Sequence, residues 1–383
     1  MGQLYKEIYL DILEEIRSGT LKIGDKIPSE NDLAKKFNVS RITTKRALDM
    51  LAQRNIIVRY RGKGSFVANA QPDLISSTIG EKETPVLESS SKTDVVGFIL
   101  PGFGDDYGSK TIEAIEKRCS EQNLCMILKQ TMGIPGEEEK AINSLVNLGV
   151  RGLIFCPLPG KHYNNALLRL VVENYPLVLV DRYLTGIPSS SVCINNKKAS
   201  IKLTNYLLAL GHEHIAFVSP PPEGTSSLED RLMGFHVAMS ENGRRIKHEA
   251  IITNLKGTLQ ESSQLHPRRL VFNETEKKKV RELIQTNPEV TAFIATEYMV
   301  AVFLYEELVS LGKKVPEDYS IVCFDSPTTI IEEPFFTHIL QDEEKMGRKA
   351  VDLLVSQLQR VDTPSIHSEV GFTLKEGRST QSR

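Results

Sequence analysis

The chain has 383 residues, 40% hydrophobic and 25% charged, with a formal net charge of −2 at pH 7. That length exceeds one ordinary domain of about 100–200 residues, and the apolar share is ample for packed cores, which excludes a mainly disordered chain. No run approaches the ~18 apolar residues of a membrane-spanning helix, and the early acids of MGQLYKEIYLDILEEI exclude a secretory leader. Five cysteines, Cys119, Cys125, Cys156, Cys193 and Cys323, are odd in number and lack CxxC spacing. Neither a disulfide framework nor a structural zinc site is expected, and the reading is a cytoplasmic, multi-domain protein with no membrane partner, metal or cofactor.

The charge is unevenly placed: residues 1–70 carry +5 and the remainder −7. A small basic head on a larger acidic body suggests a polyanion-binding module attached to something else. Within the head, Tyr5–Ser18 places Ile8, Ile12 and Ile16 at i, i+4 and i+8 with Leu13 beside them, a single apolar helix stripe. In IPSENDLAKKF, Ser29 can cap a second helix with Asp32 three residues later, a capping box. Ser40 opens a third helix, SRITTKRALDMLAQRN, and two short capped helices joined by a tight turn form a helix-turn-helix.

At ~100° per residue, Thr44, Ala47, Leu48 and Leu51 of that third helix share the packing arc. Arg41, Ile42, Lys45 and Arg46 lie towards the opposite arc, with Thr43 at its edge. Cations and one apolar residue near a helix N-terminus suit a major groove. Arg41 or Lys45 can reach guanine or phosphate, and Ile42 a thymine methyl. A solvated basic face is the competing explanation. The β-type runs Ile56–Tyr60 and Ser65–Ala68, joined by Arg61-Gly62-Lys63-Gly64, favour the first, because a wing with two cations at its tip can enter the minor groove.

The string SGTLKIGDKIPSENDLAKKFNVSRITTKRALDMLAQRNIIVRYRGKGSFV resembles the DNA-binding domain of the gluconate-repressor (GntR) family across nearly the whole head. The resemblance implies double-stranded operator DNA as partner, with contacts at Arg41, Thr43, Lys45, Gly62 and Gly64. The candidate set is Glu30, Arg41, Ile42, Thr43, Lys45, Arg46, Arg61, Gly62, Lys63 and Gly64. Two departures stand out. Lys45 occupies a position where arginine is commoner and loses the bidentate fork. Thr44 replaces a usual aliphatic, which should soften packing. Glu30 can orient Arg41 or meet a cytosine amine, and as a first-turn acid it also suits the helix dipole.

The boundaries follow from composition: 1–68 is the winged helix-turn-helix, 69–94 a Ser-, Thr-, Glu- and Lys-rich linker, and 95–383 the body. In the body, strand-type runs at Val95–Pro101, Leu124–Lys129, Gly152–Cys156, Leu177–Asp181, Ile215–Ser219, Thr291–Ala295 and Ser320–Asp325 alternate with eight helical stretches. These are Lys110–Gln122, Glu137–Leu148, Tyr163–Asn174, Lys197–Leu210, Arg231–Asn242, Glu276–Gln285, Met299–Leu311 and Glu343–Gln359. The pattern predicts an N-terminal α+β winged head and a C-terminal α/β body of two doubly wound parallel-sheet subdomains with a ligand cleft between them.

The segments VGFILP, VRGLIFCP, PLVLVDRY, LLALGHEHIAFVSPP, DRLMGFHVAM, TAFIATEYMVA, VPEDYSIVCFDS and KEGRST resemble the effector domain of lactose-repressor-type (LacI/GalR) regulators, which share the fold of periplasmic sugar-binding proteins. The resemblance implies a small-molecule sugar effector and a homodimer. Arg231 matches the family's ligand-clamping arginine, a fixed fork of five donors, and Asp325 its hydroxyl-accepting carboxylate. From strand-end position, Glu297, Gln341, Tyr107, Tyr183 and Arg182 complete the ligand set, with Arg182 and Tyr183 in a segment that family members also use near the dimer face. Glu297 stands in place of the usual Asn-Asp pair, and Ser326 in place of a frequent second Asp. Each has a structural alternative: Asp325 can cap a turn and Arg231 can form an ion pair. His212-Glu213-His214 lacks metal-site spacing and reads as a surface turn.

No P-loop, dinucleotide-binding, nucleophile-elbow or kinase motif is present, so a non-enzyme is expected. A gluconate-repressor head on a lactose-repressor body resembles the arabinose-repressor group, which makes L-arabinose the leading effector among pentoses and related sugars. The alternative is a sugar-binding enzyme or solute receptor with the same body fold, which would neither shift duplex DNA nor release it with sugar.

Overall fold

The structure is a computed structural model and describes residues 4–53, 56–60, 64–68, 93–104, 106–160, 164–260, 269–327, 333–359 and 364–383. It forms two compact units, Met1–Ser90 and Ser91–Arg383.

The first unit contains α1 (Leu4–Arg17), α2 (Glu30–Lys36), α3 (Arg41–Gln53) and the antiparallel hairpin β1 (Ile57–Tyr60) and β2 (Gly64–Val67). Both expected caps form. Ser29 Oγ accepts the Asp32 N–H at 3.3 Å while Asp32 accepts the Ser29 N–H at 3.2 Å, and Ser40 Oγ accepts the Thr43 N–H at 3.3 Å. Asn38 takes the left-handed conformation between α2 and α3, with φ 50°, which asparagine tolerates better than branched residues. Ile8, Ile12 and Leu13 of α1 pack on Leu33 of α2 and on Ala47, Leu48 and Leu51 of α3, and Ile57 and Val67 of the hairpin close the same core.

The second unit is two parallel sheets in two lobes. The first-lobe sheet runs β4 (Leu124–Gln130), β3 (Asp94–Leu100), β5 (Leu153–Phe155), β6 (Leu177–Val180), β7 (Ser190–Ile194) and β15 (His367–Val370), all parallel. The second-lobe sheet runs β9 (Ile251–Ile252), β8 (Ile215–Val218), β12 (Ala292–Ala295), β13 (Ser320–Phe324), β14 (Thr337–Gln341) and β16 (Phe372–Lys375), with β16 antiparallel to β14. A short separate hairpin pairs β10 (Thr258–Gln260) with β11 (Arg269–Val271). The helices are α4 (Ser109–Glu121), α5 (Pro135–Leu148), α6 (Asn165–Val172), α7 (Asn196–Ala209), α8 (Ser226–Glu241), α9 (Glu274–Thr286), α10 (Tyr298–Ser310) and α11 (Glu343–Gln359).

The chain passes between lobes three times: after β7, after β14 and between β15 and β16. The crossings are tied together, since Asp342 N–H donates to Gly371 O at 3.2 Å and Asn195 Nδ2 to Glu369 Oε1 at 2.8 Å. In each sheet the order reverses beside the first strand, at β3/β5 and β8/β12, so the carboxyl ends of the strands form crevices facing the other lobe. Buried aromatics fill both lobes, Phe98 and Phe155 in one and Phe217, Phe235, Phe293 and Phe324 in the other.

All seven expected body strands and all eight expected helices form. Two details differ. The helix expected from Arg231 begins at Ser226, because the Glu229 carboxylate turns back to accept the Gly224 N–H at 2.8 Å, which places Arg231 in the second turn. Besides the short hairpin, β7, β9, β14, β15 and β16 were not anticipated: SSVCI, THILQ and HSEV carry serine, threonine or histidine within buried or edge strands, so no uninterrupted apolar run marks them.

Candidate functional site

In the head, α3 divides as its periodicity requires. Thr44, Ala47, Leu48 and Leu51 are buried, whereas Arg41, Lys45 and Arg46 are exposed on the other face and Thr43 is half-buried at its edge. Ile42 lies on the same helix. Thr44, expected to loosen the packing, compensates through its hydroxyl, which lies 3.1 Å from Glu30 O and 2.9 Å from Arg41 O and joins α3 to the start of α2. Glu30 is the hub of the polar surface. Its Oε2 accepts from Arg41 Nε at 3.0 Å and its Oε1 from Arg59 of β1, which also pairs with Asp49 of α3. Burial opposes ionisation of Glu30, but the hydrogen bonds from Arg41 and Arg59 outweigh it and hold the carboxyl below its ordinary range. Arg59 was absent from the sequence-derived set; it reads as an outward strand residue, and only the fold brings it to Glu30. Gly64 opens β2 with φ 113°, a left-handed geometry suited to glycine. Arg61, Gly62 and Lys63 lie outside the described residues.

In the body, six of the seven anticipated ligand residues follow strand ends that open on the interlobe cleft. Tyr107 comes from the loop after β3, Arg182 and Tyr183 follow β6, Glu297 follows β12, Asp325 follows β13, and Gln341 ends β14. Arg231 reaches the same place from α8. It is 4% exposed, with Nε 2.8 Å from Asn196 Oδ1, Nη1 2.6 Å from Thr296 O and its guanidinium 3.8 Å from the Phe324 ring centre. These contacts fix the plane of the fork. Asp325 sits in the left-handed region at φ 62° and accepts Gln341 Nε2 at 3.0 Å on each oxygen.

Sequence reasoning missed Asp181. It directly follows β6 as Asp325 directly follows β13, with φ 68°, and accepts the Tyr107 hydroxyl at 2.9 Å. A signal was available, because it is the acid of the same VDRY segment that supplied Arg182 and Tyr183. Glu343 was also missed. Its buried Oε2 accepts Gly108 N–H at 2.8 Å, Thr111 N–H at 3.3 Å and the Thr111 hydroxyl at 3.0 Å, so the carboxylate caps α4 and holds the Tyr107 loop.

The cleft is strongly acidic for a buried place. Burial raises the Asp325 carboxyl well above its ordinary range despite Arg231 nearby. Burial also raises Glu297, with Arg182 and Arg231 pulling the other way and Asp181 and Asp106 adding to the rise. Burial and Asp181 hold the Tyr107 phenol protonated, as its bond to Asp181 requires. Arg182 donates through Nη1 to Pro157 O at 2.9 Å, and its Nε lies 3.4 Å from Asp181. Two further atoms, Thr296 Oγ1 and Gln341 Oε1, are buried and lack a hydrogen-bond partner among the described residues. A folded chain rarely tolerates such atoms, since each costs about 1–3 kcal/mol unless something else satisfies it.

Tyr183 does not point its phenol at this cluster. The hydroxyl donates to Asp230 Oδ2 at 3.1 Å and the ring stands edge-on to His367 at 5.0 Å. His212 is a correction: expected in a surface turn, it is fully buried, with Nδ1 2.8 Å from Thr291 Oγ1 and Nε2 3.1 Å from Gln381 O, because the C-terminal segment folds back over it. No group of three or more metal-ligating side chains occurs among the described residues, and no helix among them is long and apolar enough to cross a membrane. A cavity of about 370 Å³ lies at the opposite, amino-terminal end of the first sheet. Two of its polar side chains are committed: Gln357 pairs with both backbone groups of Leu177, and Arg151 with Asp94.

A family model described as bacterial regulatory proteins, gntR family, matches residues 4–67, and one described as a periplasmic binding protein-like domain matches residues 204–380. The arabinose metabolism transcriptional repressor of Geobacillus stearothermophilus is 24% identical over 364 residues, covering 93% of this chain and 91% of the relative. Among solved structures, the transcription regulator CcpA of Lactococcus lactis aligns with a TM-score of 0.63 at 22% identity, covering 76% of this chain and all of the other. A LacI family regulator of Enterococcus faecium with bound ribose aligns at 0.59 and 23%, covering 75% and 99%. These likenesses bear out both halves of the expected architecture: a winged helix-turn-helix and an α/β body with the periplasmic binding protein-like fold.

Proposed function

We propose that this chain, which joins a gntR-family DNA-binding domain to a periplasmic binding protein-like domain, is a carbohydrate-responsive transcriptional repressor. It binds operator DNA through the head and leaves it when a sugar occupies the cleft. In this reading it acts in the cytoplasm as a homodimer and catalyses nothing. The DNA-contacting set is Glu30, Arg41, Ile42, Thr43, Lys45, Arg46, Arg61, Gly62, Lys63 and Gly64, and the exposed cationic face of α3 above a buried apolar face is what supports it. Two heads are needed because one recognition helix and one wing bury too little for physiological affinity, whereas paired half-sites supply the rest.

The observation that carries the sensing half is the pair of buried polar atoms without a hydrogen-bond partner among the described residues, Thr296 Oγ1 and Gln341 Oε1, among the carboxyl groups of Asp181, Glu297 and Asp325 and the pinned fork of Arg231. A polyhydroxylated ring supplies both donors and acceptors to such a set of groups. Burial and the neighbouring acids hold the Glu297 and Asp325 carboxyls above their ordinary range, and an anionic ligand would add to that repulsion, so an uncharged sugar fits better than a sugar acid or phosphate. The relative's arabinose and the structural neighbour's ribose are both uncharged pentoses, and L-arabinose leads.

The test selects tight-binding duplexes from a random library, then follows their anisotropy while L-arabinose, D-ribose, D-xylose, D-glucose and D-gluconate are titrated. One uncharged sugar should lower duplex affinity. If none of the panel did so, the sensing reading would fall, and release by gluconate alone would overturn the charge argument. Arg41→Ala and Lys45→Ala should each cost about 1–3 kcal/mol on selected duplexes if they read bases.

A further inference from the structure

Three hydrogen bonds cross from loops of the first lobe to one short stretch at the start of α8 in the second. Gly160 N–H donates to Thr225 Oγ1 at 3.1 Å, Tyr183 N–H to Ser226 Oγ at 2.9 Å, and the Tyr183 hydroxyl to Asp230 Oδ2 at 3.1 Å. Two of the three belong to Tyr183, and only the third unites a neutral donor with an acidic side chain, the stronger kind of bond.

The ring that carries that hydroxyl is braced from the first-lobe side. It stands at 79° to His367 of β15, whose Nδ1 lies 2.8 Å from Ser191 Oγ of β7. Burial raises the Tyr183 phenol above its ordinary range, with Asp230 adding to it, so the phenol stays protonated and donates. The Asp230 carboxyl is itself raised by burial, while the Tyr183 hydrogen bond works against that rise. Position in the chain matters as much as the bond. Asp181 and Arg182 immediately precede Tyr183, and Arg231 immediately follows Asp230, so both ends of this contact are continuous with cleft residues.

We infer that Tyr183 and Asp230 form an interlobe latch that ties the two lobes together beside the cleft. Tyr183 is thus a positioning residue acting through α8, not a group that touches the effector. The consequence for sensing rests on the proposed function: lobes already tied together leave less of the effector's binding free energy to be spent on bringing them together. The latch itself does not depend on that reading, and its test contains no sugar.

Hydrogen exchange followed by mass spectrometry on the full-length protein provides the test. Tyr183→Phe keeps the ring and its packing on His367 and removes only the hydroxyl. Exchange should accelerate by about tenfold, the scale of one hydrogen bond to a charged group, at residues 157–160 in one lobe and 224–231 in the other. Peptides spanning the core strands at 153–155 and 215–218 should not change. Should the core strands also accelerate, Asp230→Ala, which leaves the ring in place, supplies the comparison. The double variant should exchange no faster than either single one, because one bond cannot be removed twice. Acceleration confined to the neighbourhood of residue 183, or effects that add in the double variant, would overturn the latch.

Discussion

In the proposed sensing role, Asp325 trades stability for recognition. Its carboxyl is raised well above the ordinary range by burial, which means that folding favours the protonated form. The destabilisation is therefore present at pH values above the unfolded carboxylate range and is relieved as the pH falls. Asp325→Asn keeps an oxygen to accept the Gln341 amide and removes the charge, so it should melt higher than the parent at pH 7, by roughly 2–4 °C for each kcal/mol regained. The gain should shrink towards pH 4, and the same protein should lose its response to sugar. Calorimetry at pH 7, 5.5 and 4 measures the first effect, and a lower melting temperature at pH 7 would contradict it. Arg231 behaves differently, because its Nε and Nη1 are already bonded to Asn196 and Thr296. Arg231→Lys retains the charge but cannot reproduce both bonds or the packing on Phe324, so it should be nearly as poor a sensor as Arg231→Ala.

At the scale of elements, α7 and α8 approach so closely that a side chain cannot fit between them. A Cβ on Gly234 would overlap the Lys197 carbonyl oxygen and lie 2.8 Å from Ser200 Cβ, and Ser200 Oγ in turn donates to Arg231 O at 2.5 Å. Gly234→Ala should therefore cost about 1–3 kcal/mol by overpacking and also shift Arg231, weakening sugar binding beyond what the stability loss explains. Thermal melts and a sugar titration separate the two effects. The C-terminal segment is strapped to the second lobe by His212, whose two ring nitrogens face Thr291 and Gln381. Burial lowers the His212 pKa despite the Gln381 bond, so folding favours the neutral ring. That stabilisation is complete above the ordinary histidine range near pH 6.5 and is lost as the pH falls through the lowered value. Amide protection at residues 379–383 should drop over this interval, and in His212→Gln the pH dependence should disappear.

The same scale shows what the sequence makes legible. Strands such as VVGFIL and IAFV announce themselves because both faces of a parallel sheet are buried and the run stays apolar. β14 and β15 do not, because their side chains are committed to neighbours: Thr337 to Thr380, and His367 to Ser191. Strand-end position located Glu297, Asp325 and Gln341, since a doubly wound sheet gathers those ends in one crevice. Asp230 and Glu343 escaped notice because an acid in the first turns of a helix already has an ordinary explanation. Their roles come from partners 47 and 235 residues away along the chain.

For the whole molecule, the charge asymmetry between head and body predicts a steep salt dependence of duplex binding. Replacing a phosphate-binding cation of the head with alanine should reduce the slope by about 1 and weaken all sequences alike, whereas replacing a base-reading side chain should relax specificity. Analytical ultracentrifugation should give a dimer on a two-fold-related duplex, and a monomer both free and bound would remove the half-site argument. The central claim is that cleft and head report on one another. Coupling of this kind is reciprocal: if the sugar binds one state ~100-fold better, it can lower duplex affinity by no more than about that factor, worth ~2.7 kcal/mol. The most direct measurement is therefore a closed cycle, in which calorimetry gives the sugar affinity with and without saturating duplex and anisotropy gives the duplex affinity with and without saturating sugar. The account predicts two equal factors well above one, both collapsing to one in Arg231→Ala while duplex affinity without sugar stays unchanged. A sugar that binds with the same affinity whether or not the duplex is present would contradict it.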